Sequence, residues 1–279
     1  HFGIAKYIKE NLDCQIYAII NTNKGKSFFL EQNLVKFTNQ WFLRDNITNT
    51  NTNLDLEYLK RFEEKYQIDL WNIIYSDVIF REFNPYHTFN RDEVLSVVEK
   101  ICKFYEKILE QTNPDYLIIR PTDSLPDQLL QMICKVKGIR VLTLGFSRLG
   151  YRSIITTDLD ILEANMLENS DNVQFSQEEL LGFMRGYTKQ QDVFRKKFQG
   201  SPLNWLKTGI EFLGLISGQE YKKYYTHTGR SILRVLCVEI SAKFKKIINA
   251  RFLNKNSIKI LSDEKFVYFS LGLEPERTI

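Results

Sequence analysis

Histidine is scarce in this chain. His1, His87 and His227 are the only three in 279 residues, and they lie far apart. Cysteine is nearly as rare: Cys14, Cys102, Cys134 and Cys237 each sit in an apolar context, and no CxxC pair occurs. That spacing argues against a zinc site and against a disulfide framework, and points to buried free thiols in a reducing compartment. Neither GxGxxG nor GxxxxGK[ST] is present, so the two common phosphate-cradling loops are missing. A Ser-His-Asp set and an HExxH are missing too. Apolar runs fall well short of the roughly 18–20 residues that a membrane-crossing helix needs. No secretory leader opens the sequence, which starts at His1 in what reads as mid-element, as though cut at its start. Together these absences give the expectation of a cytoplasmic protein without a metal or resident cofactor.

The remaining composition is that of an ordinary folded protein, 43% hydrophobic and 26% charged. Its charge is unevenly spread. Sixteen Lys and Arg fall between Arg185 and Lys259, against only Asp192, Glu211, Glu220 and Glu239, although the whole chain carries just +4. Trp205, Phe212, Tyr221, Tyr224 and Tyr225 are interleaved with these cations. The pattern predicts helices whose cationic face meets an anionic bilayer, at the inner face of the plasma membrane. Signatures of RNA- or DNA-binding modules are absent, so nucleic acid is not an expected partner.

One stretch organises the rest, NPDYLIIRPTDSLPDQLLQMICKVKGIRVLTLGFSRLGYR, residues 113–152. Pro114 stops a preceding helix, and Tyr116 to Ile119 is an unbroken apolar run, as in a strand buried on both faces. Ser124 opens a helix with Leu125, Leu129, Met132, Ile133 and Val136 at helical spacing, and Gly138 ends it. Val141 to Leu144 forms the next strand. The expected product is a strand–helix–strand unit in a Rossmann-like parallel sheet that also holds residues 14–20. Polar tips follow each strand, where ligands bind in open α/β sheets.

Elsewhere, His1–Asp13, Leu54–Tyr66 and Arg91–Gln111 carry helical periodicity, and Asn46–Asn53 (NITNTNTN) has the composition of an exposed loop. Ser176 with Glu179 is a capping box opening a helix to about Phe198. Further helices are expected over 203–216 and 229–253, and a strand over 265–269. We divide the chain into an N-terminal α/β domain (1–175), a helical basic segment (176–260) and the start of a second α/β domain (261–279).

The candidate chemistry lies at the strand ends. Arg120 and Asp123 either pair to close their loop, or serve an acceptor as orienting cation and general base. Ser147, Arg148 and Arg152 form a cationic tip that either binds an anion or is a solvated turn. His1, at a helix start where the dipole favours neutral imidazole, is an alternative base. Glu274 and Glu276, with Arg277, follow the last strand.

HFGIAKYI with CQIYAII, NPDYLIIRPTD, LGFSRLGYR and above all KFVYFSLGLEPERTI resemble bacterial capsule and surface polysaccharide biosynthesis proteins. That family is related to glycosyltransferases built from two Rossmann-like domains (GT-B). Its last motif usually reads FVYFPLH-x-[QE]PE. Here Ser270 replaces the proline and Gly272 the histidine, while Glu274, Pro275, Glu276 and Arg277 match. The resemblance implies a transferase moving an activated sugar from a nucleotide-sugar donor to a glycan or lipid-linked acceptor. The donor site would lie mainly in the second domain, and Glu274 and Glu276 would hold sugar hydroxyls. By itself the present sequence is then expected to transfer nothing. A non-catalytic, membrane-associated factor for polysaccharide assembly or export is the alternative.

Overall fold

The computed structural model describes residues 2–22, 26–47, 54–80, 84–121, 124–146, 153–157, 176–182 and 224–257. Its architecture is mixed α/β, with helices outweighing two small sheets. Helix α1 (Phe2–Asn11) leads to strand β1 (Tyr17–Ile20), helix α2 (Lys26–Glu31) and strand β2 (Asn39–Phe42). β1 and β2 pair in parallel, Tyr17 opposite Asn39 and Ile20 opposite Phe42. Phe2 ties α1 to this unit through its ring contacts with Phe28, Phe29 and Phe37.

The main core draws on the helices α3 (Leu43–Asn46), α4 (Leu56–Tyr66), α5 (Leu70–Ser76) and α6 (Arg91–Thr112), and on α7 (Leu125–Val136). α6 is its axis. Asn90 and Glu93 cap it reciprocally, each side chain bonded to the other's backbone N–H. Its apolar stripe, including Val94, Val98, Ile101 and Ile108, is buried along its length, and Asn113 closes the helix in the left-handed region at φ 38°. Asp55 and Asp69 cap α4 and α5 by accepting backbone N–H groups. Strand β3 (Tyr116–Ile119), helix α7 (Leu125–Val136) and strand β4 (Arg140–Phe146) follow, and strand β5 (Ser153–Thr156) completes the second sheet. β3 and β4 are parallel, Tyr116 opposite Arg140, whereas β4 and β5 are antiparallel, Phe146 opposite Ser153. A helical segment at 177–182 opens with the Ser176–Glu179 capping box. The last described element is α8 (Ile232–Asn256), capped by Ser231.

Several expectations need correction. Among the described residues, 14–20 and 116–119 do not share one sheet, since β1 pairs with β2 and β3 with β4. The crossover through α2 is long enough to bring a parallel partner back beside β1. β3 is not buried on both faces: Tyr116 is exposed and only Ile119 is buried. β4 runs on to Phe146 because its last four residues pair with β5, so the chain turns back in a hairpin there. Ile47, inside the asparagine-rich stretch read as loop, is fully buried beside Leu43 in the core. Of the four thiols, Cys102 and Cys134 are buried, Cys14 is half-buried and Cys237 is exposed. Among the described residues no helix is long and apolar enough to cross a membrane. The expected helix at 203–216 and strand at 265–269 lie outside the described residues.

α4 and α6 are also joined by a polar clasp. Glu106 of α6 accepts from Tyr58 (2.7 Å), Lys65 (2.6 Å) and Tyr66 (3.0 Å) of α4. Burial pushes the Glu106 carboxyl up, but the bonds from Lys65, Tyr58 and Tyr66 outweigh it and hold the group below its ordinary value. Its folded pKa is therefore below its unfolded one. The stabilisation is present above the unfolded value of ~4.3 and is lost as pH falls through the lower folded value. Glu106→Gln places an amide donor among three donors and should lower stability at neutral pH by about 1–3 kcal/mol. Urea titrations from pH ~7 down to pH ~3 should show the variant's deficit shrinking in acid. A constant deficit across that range would refute the assignment.

Candidate functional site

Because β3 and β4 are parallel, their carboxyl ends share one edge of the sheet. Arg120 follows β3 at that edge and is exposed. Pro121, next in the chain, lies against β4: a Cβ on Gly145 would stand 4.0 Å from Pro121 Cγ. The described carboxyl ends of the two strands are thus neighbours. Of the sequence-derived site residues, Arg120 alone is among the described residues. His1, Asp123, Ser147, Arg148, Arg152, Glu274 and Glu276 lie outside them.

The helix that leaves this edge shows what its N-terminus is fitted for. Asp77, buried after α5, accepts the Leu125 N–H through Oδ2 at 2.9 Å and the Ile79 N–H through Oδ1 at 2.9 Å. Ser124 occupies the N-cap position of α7, but its side chain makes no capping bond, so Asp77 supplies the cap from outside the helix. Pro126, at the second helical position, has no N–H, and Asp127 adds another carboxylate to the first turn. Helix N-termini at strand ends bind phosphate through free N–H groups and the positive dipole end. This first turn has a carboxylate already bonded, a missing donor and a second carboxylate, so it is poorly suited to a phosphate.

Asp77 is a positioning residue that sequence reasoning did not find. It fixes the start of α7, and with it the end of the loop that leaves β3. Asp77→Asn keeps the shape but turns one acceptor oxygen into a donor facing an N–H. A loss of about 1–3 kcal/mol in urea denaturation is expected, and an unchanged midpoint would show that the cap contributes nothing.

A second polar group gathers at the carboxyl ends of β1 and β2. Arg44 Nε donates to Asn21 Oδ1 at 3.0 Å, and Lys26 pairs with Asp45. The Arg44 guanidinium also lies 4.5 Å from the ring centre of Tyr224. Tyr224 and Tyr225 are buried in the main core, and Tyr225 stacks on Phe80 at 5.5 Å and 12°. Burial pushes the Tyr224 hydroxyl up to about 12, with Arg44 acting in the other direction. The chain entering α8 is therefore anchored between the β2 tip and the α5–α7 side of the core. A shallow concavity of about 530 Å³ lies at the opposite end of the second sheet, lined by Asn113–Tyr116 and Lys137–Arg140. It is at the amino ends of the strands, away from the edge where α/β sheets bind ligands.

Comparison with family models, with curated proteins and with solved structures finds no match to this chain.

Proposed function

We propose that this chain is the acceptor-side part of a glycosyltransferase of surface polysaccharide biosynthesis, and that β3–α7–β4 is the core of a Rossmann-like domain. One observation carries the reading: the parallel strand ends share an edge bearing Arg120, and the helix leaving that edge has its N-terminus occupied by Asp77 rather than open to a phosphate. Such an edge suits a glycan better than a nucleotide diphosphate. The donor's nucleotide would then bind in a second domain, as the resemblance through KFVYFSLGLEPER implies.

In this reaction Asp123 takes the proton of the acceptor hydroxyl while that oxygen bonds to the anomeric carbon of the donor sugar. The bond from that carbon to the nucleotide phosphate breaks, and its electron pair leaves with the diphosphate. Arg120, Ser147, Arg148 and Arg152 hold an anionic part of the acceptor, and Glu274 and Glu276 hold donor-sugar hydroxyls. His1 is the base next in line. A panel of nucleotide sugars labelled in the sugar, incubated with a protein that joins this chain to the second domain and with its surface glycan, tests the reading. Label must move into the glycan. If glycan assembly in cells depends on the gene but no label moves with any donor, the protein is an assembly or export factor instead.

A further inference from the structure

Helix α8 carries an apolar stripe that the described structure leaves uncovered. Val235, in the first turn, is the only buried residue of its 25. Leu233, Leu236, Ile240, Phe244, Ile247 and Ile248 are all 43–77% exposed. At 3.6 residues per turn these six fall within an arc about 120° wide, so they form one continuous face. The same helix bears Arg234, Lys243, Lys245, Lys246, Arg251 and Lys255 against the single acid Glu239. At the same spacing, Lys243 borders the stripe, Arg251 and Lys255 lie in line with it in the last turns and end its apolar run, and Arg234, Lys245 and Lys246 lie on the remaining faces.

We infer that α8 is an interfacial anchor, lying in the plane of an anionic bilayer with the Leu233–Ile248 stripe among the acyl chains and its lysines at the lipid phosphates. Charge decides the occupant. A second copy packed stripe to stripe would bring two helices together, each with six cations and one acid, and would place Arg251 near the seam. An anionic lipid surface turns the same charges into attraction, worth several-fold in affinity for each cation near the surface. An apolar face on a helix rich in lysine and arginine is what interfacial helices use. The anchoring of Tyr224 and Tyr225 in the core holds the first turn of α8 to the body, so docking would bring the whole domain to the membrane. The cationic segment by itself predicts only surface attraction. The stripe adds insertion, and this inference does not depend on the sugar-transfer reading.

Vesicle sedimentation tests it with the whole chain and no sugar nucleotide present, so it can fail or hold separately from the transferase reading. Vesicles of phosphatidylcholine with about a third phosphatidylglycerol should bind the protein at about 0.1 M salt, and pure phosphatidylcholine should bind it at least about 10-fold more weakly. The triple variant Ile240→Gln, Phe244→Gln and Ile247→Gln alters only exposed side chains and keeps helix-forming residues. It should lower partition to the anionic vesicles at least about 10-fold with an unchanged circular dichroism spectrum. Lys243→Glu with Lys245→Glu and Lys246→Glu should abolish the preference for anionic lipid. Wild-type sedimentation that ignores lipid charge would overturn the inference, as would a Gln variant that binds like the wild type. So would a wild-type dimer, seen by light scattering, that the Gln variant dissolves, because a second copy would then cover the stripe.

Discussion

Asp123→Asn, made in a protein that joins this chain to the second domain, is expected to lower sugar transfer by about 10²-fold, with little change in folding. The substitution keeps the shape of the side chain and removes its basicity. An unperturbed aspartate titrates near pH ~4 and is a weak base in the ground state. It need only accept the proton as the anomeric bond breaks, when the acceptor hydroxyl becomes far more acidic. The loss should therefore fall on kcat rather than on the KM for the acceptor, because the base acts in the transition state. Arg120→Ala should do the reverse and raise the acceptor KM. Transfer by Asp123→Asn at near the wild-type rate would move the base elsewhere, to His1 first.

Gly229→Ala is expected to cost about 3 kcal/mol or more and to release the segment that anchors α8. Gly229 has φ +74°, where a side chain is strained by about 1–2 kcal/mol. A Cβ there would also overlap the backbone carbonyl of Tyr86 and press on His87, and backbone cannot swing aside as a side chain can. The Arg230 guanidinium lies 4.8 Å from the Tyr86 ring centre, so the same neighbour holds the segment twice. Gly138 supplies the control. It has φ +73°, but a methyl group added there would meet nothing within 4 Å, so Gly138→Ala should show the backbone strain alone. Denaturation midpoints of the two variants separate the effects, and proteolysis of Gly229→Ala should open near residues 224–231. Equal losses in the two variants would mean that the Tyr86 contact is not tight.

The elements that were legible in the sequence are those with long periods and explicit caps. The valine and isoleucine stripe read over Arg91–Gln111 placed α6 to within a residue, and Ser124 to Gly138 placed α7 equally well. The apolar run Tyr116–Ile119 with Arg120 behind it located the strand end where the candidate site lies. β1's partner was not legible, because α2 has six residues and β2 four, too few for any period to emerge. The stretch 152–158 reads as a strand or a hairpin arm, and β5 forms there as the arm paired antiparallel to β4, but a sequence does not say how far such pairing reaches, so the extension of β4 to Phe146 was missed. Ile47 was hidden because polar neighbours dominate its window, while its burial is decided by a core built largely from residues distant in sequence. Asp77 was missed for the same reason: its bond to Leu125 spans 48 residues, and nothing near Asp77 marks it as another helix's cap. The exposed stripe of α8 was read as part of a cationic segment, and only the burial of Val235 alone shows how little of that helix the core covers.

Ligand-observed NMR on this chain, with the surface glycan in one sample and a nucleotide sugar in the other, separates acceptor-side from donor-side binding most directly. Saturation should transfer to the glycan and fade in Arg120→Ala, while the nucleotide sugar should show a trace at most, since its nucleotide binds in the second domain and the first turn of α7 already holds Asp77. Saturation of the nucleotide sugar alone, undiminished when the glycan is added, would contradict an acceptor-side role for this chain.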